Sequence, residues 1–377
     1  MNSLSMPAGS GPERETEREA ATAMGRSRAS LLRGLWYLAA PARNLRRGEM
    51  RPVTLLGEPV LLCRDRAGAV FALRDVCPHR GIPLRYGRFD GETVMCGYHG
   101  WRFDRSGTAC EIPSLLPDQK VNLARIRCGA YRVAERQGLI WVFMPEQAGS
   151  AIGNGAEPPP VPEMPGLPET AMPGIVTSMA FPCTADHAAF GLMDPTHAAF
   201  VHTSWWWKRN ARKLREKTKH FEPAPLGWRM VRHALPPENR AYRIFGEDVT
   251  TEIRYALPGL RIEQVQGSRH SAVGLTAITP VDAENTRVWQ IFYWTLPWLA
   301  VLKPLALVLV RRFLDQDRQM VIKQQHGLPH ADRLMLVNDA DMQARWFDRL
   351  SREWERAQAE DRAFANPLQP QTLRWRS

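Results

Sequence analysis

Two short loops, Cys77-Pro78-His79 and Cys96-Gly97-Tyr98-His99, constrain this chain more than any other feature of its 377 residues. Together they read C-x-H-x16-C-x2-H, so each loop offers one thiol and one imidazole. Sets of two cysteines and two histidines at such spacing hold either zinc or a two-iron, two-sulfur cluster. Zinc fingers usually pair Cys with Cys and His with His. Mixed loops suit a cluster in which one iron takes both thiolates and the other both imidazoles. Neutral imidazole in place of thiolate removes negative charge and raises the reduction potential, so such a cluster accepts electrons readily. The fold must bring the two loops together.

The surroundings predict a small all-β unit. From Trp36 to Phe143, apolar runs such as Val53–Leu56, Val60–Cys63, Val70–Leu73 and Leu139–Phe143 alternate with turn signals such as Asp65-Arg66-Ala67-Gly68 and Asp90-Gly91. Residues 149–174 are dense in Pro and Gly and read as a linker. Beyond it, a region near 183–220 reads helical, and 242–295 alternates as strands, for instance Ser271–Thr279 and Thr286–Thr295. Two helices follow, near 299–326 and 338–360, the second with Trp346, Leu350 and Trp354 along one face. The expected fold class is α+β: an N-terminal all-β domain over 31–148, then a domain over 175–377 in which helices pack on an antiparallel sheet. Residues 1–30 are polar, show no apolar leader, and predict a disordered tail.

A second set of donors is Asp194, His197 and His202, spaced D-x2-H-x4-H. Read alone, Asp194 could cap a helix with Pro195 at its first position while the histidines simply pack. Five residues is also an awkward helical interval. Both rings could reach one metal only if the helix is distorted or broken between them, as at a π-bulge. The first constellation changes the weighing, because a cluster of that kind only passes electrons and a second site must use them. Two imidazoles and one carboxylate on one face of Fe(II), with positions left open, form a set that activates oxygen. On the helix near 299–326, Val310, Phe313, Leu314, Met320 and Val321 form a stripe with Asp317 inside it. Asp315 shares the opposite side with Arg311, Arg312, Arg318 and Gln319. This points to Asp317 as the carboxylate, the alternative being a buried Asp–Arg pair.

The net charge of +11 is spread along the chain without a nucleic-acid motif, so no nucleic-acid partner is expected. Arg74, Arg80, Arg85, Arg88, Arg102 and Arg105 surround the first constellation, either as a basic rim for docking an acidic electron-transfer protein or as ordinary solvated surface. Six cysteines in a chain this long do not make a disulfide scaffold, which together with the polar start predicts a reducing, cytoplasmic setting. Cys63, Cys110 and Cys128 read as buried apolar residues. The most apolar stretch, Leu296 to Val310, is short and broken by Pro297, Lys303 and Pro304. It reads as a buried helix in preference to a monotopic membrane contact, and no membrane partner is expected. Trp205-Trp206-Trp207 suits core or subunit-interface packing, or a hydrophobic wall for a substrate, and Lys208–Lys219 a solvated segment. Nicotinamide and flavin fingerprints are missing, so reducing power must come from another protein.

Cys77-Pro78-His79-Arg80-Gly81, then Cys96-Gly97-Tyr98-His99-Gly100-Trp101-Arg102-Phe103 and Gly107, resemble the Rieske domain of ring-hydroxylating and related oxygenases over about residues 35–148. Gly97 stands where many relatives have Pro. The later chain resembles the vanillate O-demethylase and pheophorbide a oxygenase-like branch, with Gln316-Asp317 and Gln324-Gln325 similar to its third-ligand region. The resemblance implies a catalytic subunit with a Rieske [2Fe–2S] cluster on Cys77, His79, Cys96 and His99 and a mononuclear Fe(II) on His197, His202 and Asp317. It further implies that Asp194 bridges His197 of one subunit to His79 or His99 of its neighbour in a head-to-tail homotrimer. A separate reductase or ferredoxin would supply electrons, and O2 would serve to hydroxylate, dihydroxylate or demethylate a small apolar or aromatic substrate. Gly191 replaces an Asn that many relatives carry, with Asp186 or Asn210 as candidate substitutes. The rival readings are an electron-transfer protein with a non-catalytic second domain and a zinc-stabilised binding module.

Overall fold

The computed structural model describes residues 31–147, 157–202, 214–235, 240–332 and 334–377, and its architecture is the expected α+β. The expected tail at 1–30, Trp205-Trp206-Trp207, the start of the Lys208–Lys219 run and Asn210 lie outside the described residues.

The first part of the chain is built from eleven strands: β1 (Leu35–Pro41), β2 (Met50–Leu55), β3 (Glu58–Arg64), β4 (Val70–Arg74), β5 (Arg88–Phe89), β6 (Val94–Met95), β7 (Arg102–Phe103), β8 (Ala109–Glu111), β9 (Ala130–Tyr131), β10 (Val133–Arg136) and β11 (Leu139–Met144). They form three small antiparallel sheets in the orders β1-β11-β10, β2-β3-β4-β9 and β5-β6-β7-β8. β1 is buried along its whole length. Alternate side chains point to opposite faces of a strand, and here Leu35, Tyr37 and Ala39 enter one core while Trp36 and Leu38 enter another. Both cores continue into the second part of the chain, through Phe181 and Ile278 in the first and Leu275 and Ile291 in the second.

That second part carries β12 (Ile175–Phe181), β13 (Glu216–Ala224), β14 (Gly227–Ala234), β15 (Thr250–Ala256), β16 (Leu260–Gln266), β17 (Ser271–Pro280), β18 (Thr286–Trp294) and β19 (Gln371–Arg376). They make one eight-stranded sheet in the order β12-β18-β17-β16-β15-β14-β13-β19. Its helices are α1 (Ala185–Met193), α2 (Ala198–Val201), α3 (Lys303–Gly327) and α4 (Met342–Ala359). On α4, Trp346, Leu350 and Trp354 are buried as their spacing predicts.

Two hairpin tips fasten the first part to the second. The β2–β3 turn places Leu56 at φ 54°, a left-handed conformation uncommon for a side-chain-bearing residue. It is held because the Leu56 and Gly57 N–H groups donate to the carbonyls of Pro280 (2.9 Å) and Val281 (2.7 Å), and the Leu56 side chain is buried. At the β10–β11 turn the buried Gln137 amide donates to the Met164 and Leu167 carbonyls and accepts from the Met164 N–H, while the Tyr293 hydroxyl donates to the Gln137 carbonyl. Residues 157–174, within the stretch that reads as a linker, have no regular element and are tied to the body through these bonds.

The structure corrects five sequence expectations. The helical reading of 183–220 fails at its end, where Glu216–Ala224 is β13 between β14 and β19. Charged side chains there imitate a surface helix, and the pairing partner β19 lies far along the chain. Lys217 and Lys219, expected in a solvated run, are half-buried on that strand. Cys110 is exposed, whereas Cys63 and Cys128 are buried. Leu296–Val310 is not a buried helix: Val301, Leu305 and Val308 face outward, and Met320, expected in the apolar stripe, is exposed too. Leu350 has no solvent exposure. Truncating a buried Leu of this kind costs about 2–5 kcal/mol, so urea unfolding of Leu350→Ala is expected to show a loss in that range; a loss below about 0.5 kcal/mol would place the core elsewhere.

Candidate metal centres

The two loops of the first centre share one backbone design. The Cys77 N–H donates to the Ile82 carbonyl (2.9 Å) and the Gly81 N–H to the Cys77 carbonyl (2.9 Å). In the second loop the Cys96 N–H donates to the Trp101 carbonyl (2.7 Å) and the Gly100 N–H to the Cys96 carbonyl (3.1 Å). Gly81 and Gly100 each follow their cysteine at the same interval and both have φ 73°, where a side chain is strained. The histidines stand at different offsets, which hides this likeness in the sequence.

Burial is graded across the centre. Cys77 and Cys96 are buried, His79 is half-buried and His99 is exposed. The two imidazole rings lie 4.6 Å apart, and His79 stacks on the Trp101 indole at 4.5 Å with the planes 4° apart. Burial pushes the Cys77 thiol up to about 11, even though the N–H groups of His79 and Arg80 point at its sulfur. Near neutral pH it would become a thiolate only against a bound cation. A buried thiol pair with an imidazole pair at the rim fits a cluster carried with its histidine edge outward.

In the second centre, α1 begins at the Thr184 cap, whose hydroxyl accepts from the His187 N–H, and ends at Met193. Asp194 turns the chain: its Oδ1 accepts from the Thr196 N–H and hydroxyl, both at 2.6 Å, and from the His197 N–H at 3.3 Å. His197 then starts the single turn α2, and His202 ends it with φ −86° and ψ 81°. The helix is broken at both histidines without a π-bulge, and this break brings the rings to 5.3 Å. Asp317 enters from α3. Its Oδ1 lies 3.4 Å from His202 Nε2 and 3.6 Å from His197 Nε2, and the three ligating atoms fall within 4.8 Å of one another.

The hydrogen bonds behind the rings fix what faces inward. His197 Nδ1 lies 2.9 Å from the Asp194 carbonyl, an acceptor only, so this nitrogen carries the proton. His202 Nδ1 lies 3.2 Å from Gln316 Oε1 and donates likewise. Both Nε2 atoms therefore present lone pairs to a carboxylate oxygen. Three electron-rich atoms at this separation repel unless a cation lies between them. Two atoms sharing an ion at bonds of about 2.1 Å sit about 3 Å apart, so the donor set fits a mononuclear metal. Burial depresses His202 to about 4, which keeps it neutral and able to ligate, and raises Asp317 to about 6.

The structure thus gathers His197, His202 and Asp317, with the Asp194 carboxylate 3.7 Å from His197 Nδ1. It sets Asp315 apart, paired with Arg318 at 3.5 Å. Phe313, whose ring stacks on His202 at 3.6 Å, lies one helical turn before Asp317, and Gln316 immediately precedes it; their contacts with His202 were legible only once α3 was placed. A Cβ built on Gly191 meets nothing within 4 Å, so no neighbour fills the place of the Asn, and Asp186 lies at the other end of α1. Arg85, Arg102 and Arg105 of the basic rim are engaged with Asp75, Asp90 and Asp65. A cleft of about 450 Å³ lined by Arg51, Arg85, Arg287 and Trp289 contains none of the metal-centre residues.

Two separate donor sets, one of thiols and imidazoles and one of imidazoles and a carboxylate, define a redox metalloprotein with two centres. Comparison with known proteins refines the class. Residues 35–126 match the Rieske [2Fe–2S] domain, and residues 185–367 match the vanillate O-demethylase oxygenase C-terminal domain. The 4β-methylsterol monooxygenase of Methylococcus capsulatus is 36% identical over 131 residues, 35% of this chain and 35% of that one. The 5,5'-dehydrodivanillate O-demethylase oxygenase subunit of a Sphingobium species is 27% identical over 219 residues, 56% of this chain and 47% of that one. These matches span less than half the length of either relative. Among solved structures, Pseudomonas putida NdmA with caffeine shares the fold at TM-score 0.66 and 20% identity, over 88% of this chain and 93% of that one. Dicamba monooxygenase bound to dicamba does so at 0.62 and 21%, over 87% and 98%. The chain belongs to the Rieske non-haem iron oxygenases, in the branch with the vanillate O-demethylase type of C-terminal domain. The cofactors of this family are a Rieske [2Fe–2S] cluster and a mononuclear iron.

The raised Asp317 carboxyl gives a sign to pH. Metal binding needs the carboxylate, so Fe(II) affinity is expected to fall by about tenfold or more per unit as pH drops below about 6. Anaerobic Fe(II) titration checks this; affinity that holds steady down to about pH 5 would contradict it.

Proposed function

We propose that the chain is the catalytic subunit of a Rieske oxygenase that uses O2 and externally supplied electrons to hydroxylate, dihydroxylate or demethylate an apolar or aromatic substrate. One observation carries the reading: His197, His202 and Asp317 converge with both Nδ1 protons already committed elsewhere. An electron-transfer protein with an inert second domain has no use for such a set. When bound, the cluster would supply single electrons and the mononuclear iron, with coordination positions left open, would supply oxygen activation.

The residues divide the work. Cys77, His79, Cys96 and His99 would hold the cluster, and His197, His202 and Asp317 the iron. The Asp194 carbonyl and Gln316 orient the two imidazoles and keep their ligating nitrogens free of protons. Phe313 supplies an apolar wall against His202. Exposed Arg80 and Arg88, without ion pairs among the described residues, would receive a separate reductase or ferredoxin. The homotrimer is supported by the part-exposed Asp194 and His197 and the exposed His99, which a neighbouring subunit could join through Asp194. Six free cysteines suit the reducing cytoplasm.

Anaerobically purified holoprotein is expected to contain about three irons and two sulfides per chain. Two irons would support the electron carrier, and zinc alone the binding module. His202→Ala is expected to keep the visible spectrum of the cluster, lose about one iron, and drop turnover at least about a hundredfold, as oxygen uptake with a surrogate reductase would show. Turnover that survives would remove His202 from the ligand set.

A further inference from the structure

From Pro297 on, the most apolar stretch of the sequence turns several of its side chains outward. Trp298 (49% exposed), Val301 (81%), Leu302 (42%), Leu305 (58%) and Val308 (50%) succeed one another from the turn Pro297–Ala300 into the start of α3. No residue between 297 and 313 is buried, and packing begins at Leu314. Scattered apolar side chains on a surface are ordinary, but a contiguous run marks a contact surface.

Charge says what kind of partner it meets. From Asn285 to Leu314 the chain has no Asp or Glu, and its charged residues there are Arg287, Lys303, Arg311 and Arg312. Lys303 lies over the Trp294 ring at 5.8 Å. Arg311 and Arg312 are exposed and have no ion pair among the described residues. On the outer face of α3, Leu305 and Val308 come first, the two arginines next, and Asp315, paired with Arg318, after them. At about 1.5 Å per residue the arginines stand about 5–10 Å behind the apolar tip. Were α3 to meet a bilayer end-on, that spacing would match the thickness of the boundary between headgroups and acyl chains. Arginines would then lie level with anionic phosphates, and Trp298 in the interface that indole favours. No helix among the described residues is long and apolar enough to cross a membrane, so the contact is one-sided.

We propose that the Pro297–Ala300 turn and the first turns of α3 form a monotopic docking surface for an anionic lipid bilayer. This reverses the expectation of no membrane partner and stands independently of the oxygenase reading. The competing occupant is a second copy of the chain.

The test is co-sedimentation of the holoprotein with phosphatidylcholine vesicles, with and without phosphatidylglycerol. Binding is expected to the phosphatidylglycerol vesicles and to weaken with added salt. The double variant Leu305→Glu, Val308→Glu is expected to bind more than about tenfold more weakly, and Arg311→Gln and Arg312→Gln about fivefold each. All variants should keep the cluster spectrum and the molar mass in solution. Failure to bind phosphatidylglycerol vesicles would overturn the proposal, as would binding that the variants leave unchanged. So would a lower molar mass in the Leu305→Glu, Val308→Glu variant, which would assign the surface to a second copy.

Discussion

Two imidazole lone pairs and a carboxylate oxygen, held facing one another, form the interaction on which the rest of this structure turns. Left to themselves these atoms repel. They stay together because each is fixed from behind: His197 by the Asp194 carbonyl, His202 by Gln316, and Asp317 by the helix that carries it. The helix is anchored in turn, since Arg318 donates to the Ala180 carbonyl on β12 and Leu314 and Val321 are buried in the common core. Local order that would be costly in a metal-free protein becomes useful when a cation completes it.

The first centre solves a different problem. Thiols must be shielded and imidazoles reachable, and one loop design used twice gives both. Its distance from the second centre is not left to a flexible tether, because the tips at Leu56 and Gln137 bind the later sheet and β1 shares its side chains between two cores. Such interlocking makes the two parts a joint scaffold, where sites on rigid elements hold their geometry better than sites on loops.

Much of this was legible in the residues. The Cys-His loops name their chemistry by spacing, and β17, β18 and α4 follow from side-chain periodicity. Asp317 could be separated from Asp315 because only one of them interrupts an apolar stripe. The failures share a cause. β13 pairs with β19 at the far end of the chain, and such pairing leaves no local trace. The outward face of early α3 could not be told from a core helix, since apolarity alone does not say what covers it. The break at His202 was foreseen as a need but not as a form, and the part played by Gln316 depends on where α3 lies against α2.

The central claim, that these three residues make a single cation site through two imidazoles, is tested most directly by the nitrogens themselves. Electron spin-echo modulation on the nitric oxide adduct of the ferrous centre, with the histidines labelled with 15N, should report two coupled ring nitrogens, and the adduct signal should vanish in His202→Ala, which loses that iron. A spectrum without histidine coupling, or one unchanged by that substitution, would contradict the account.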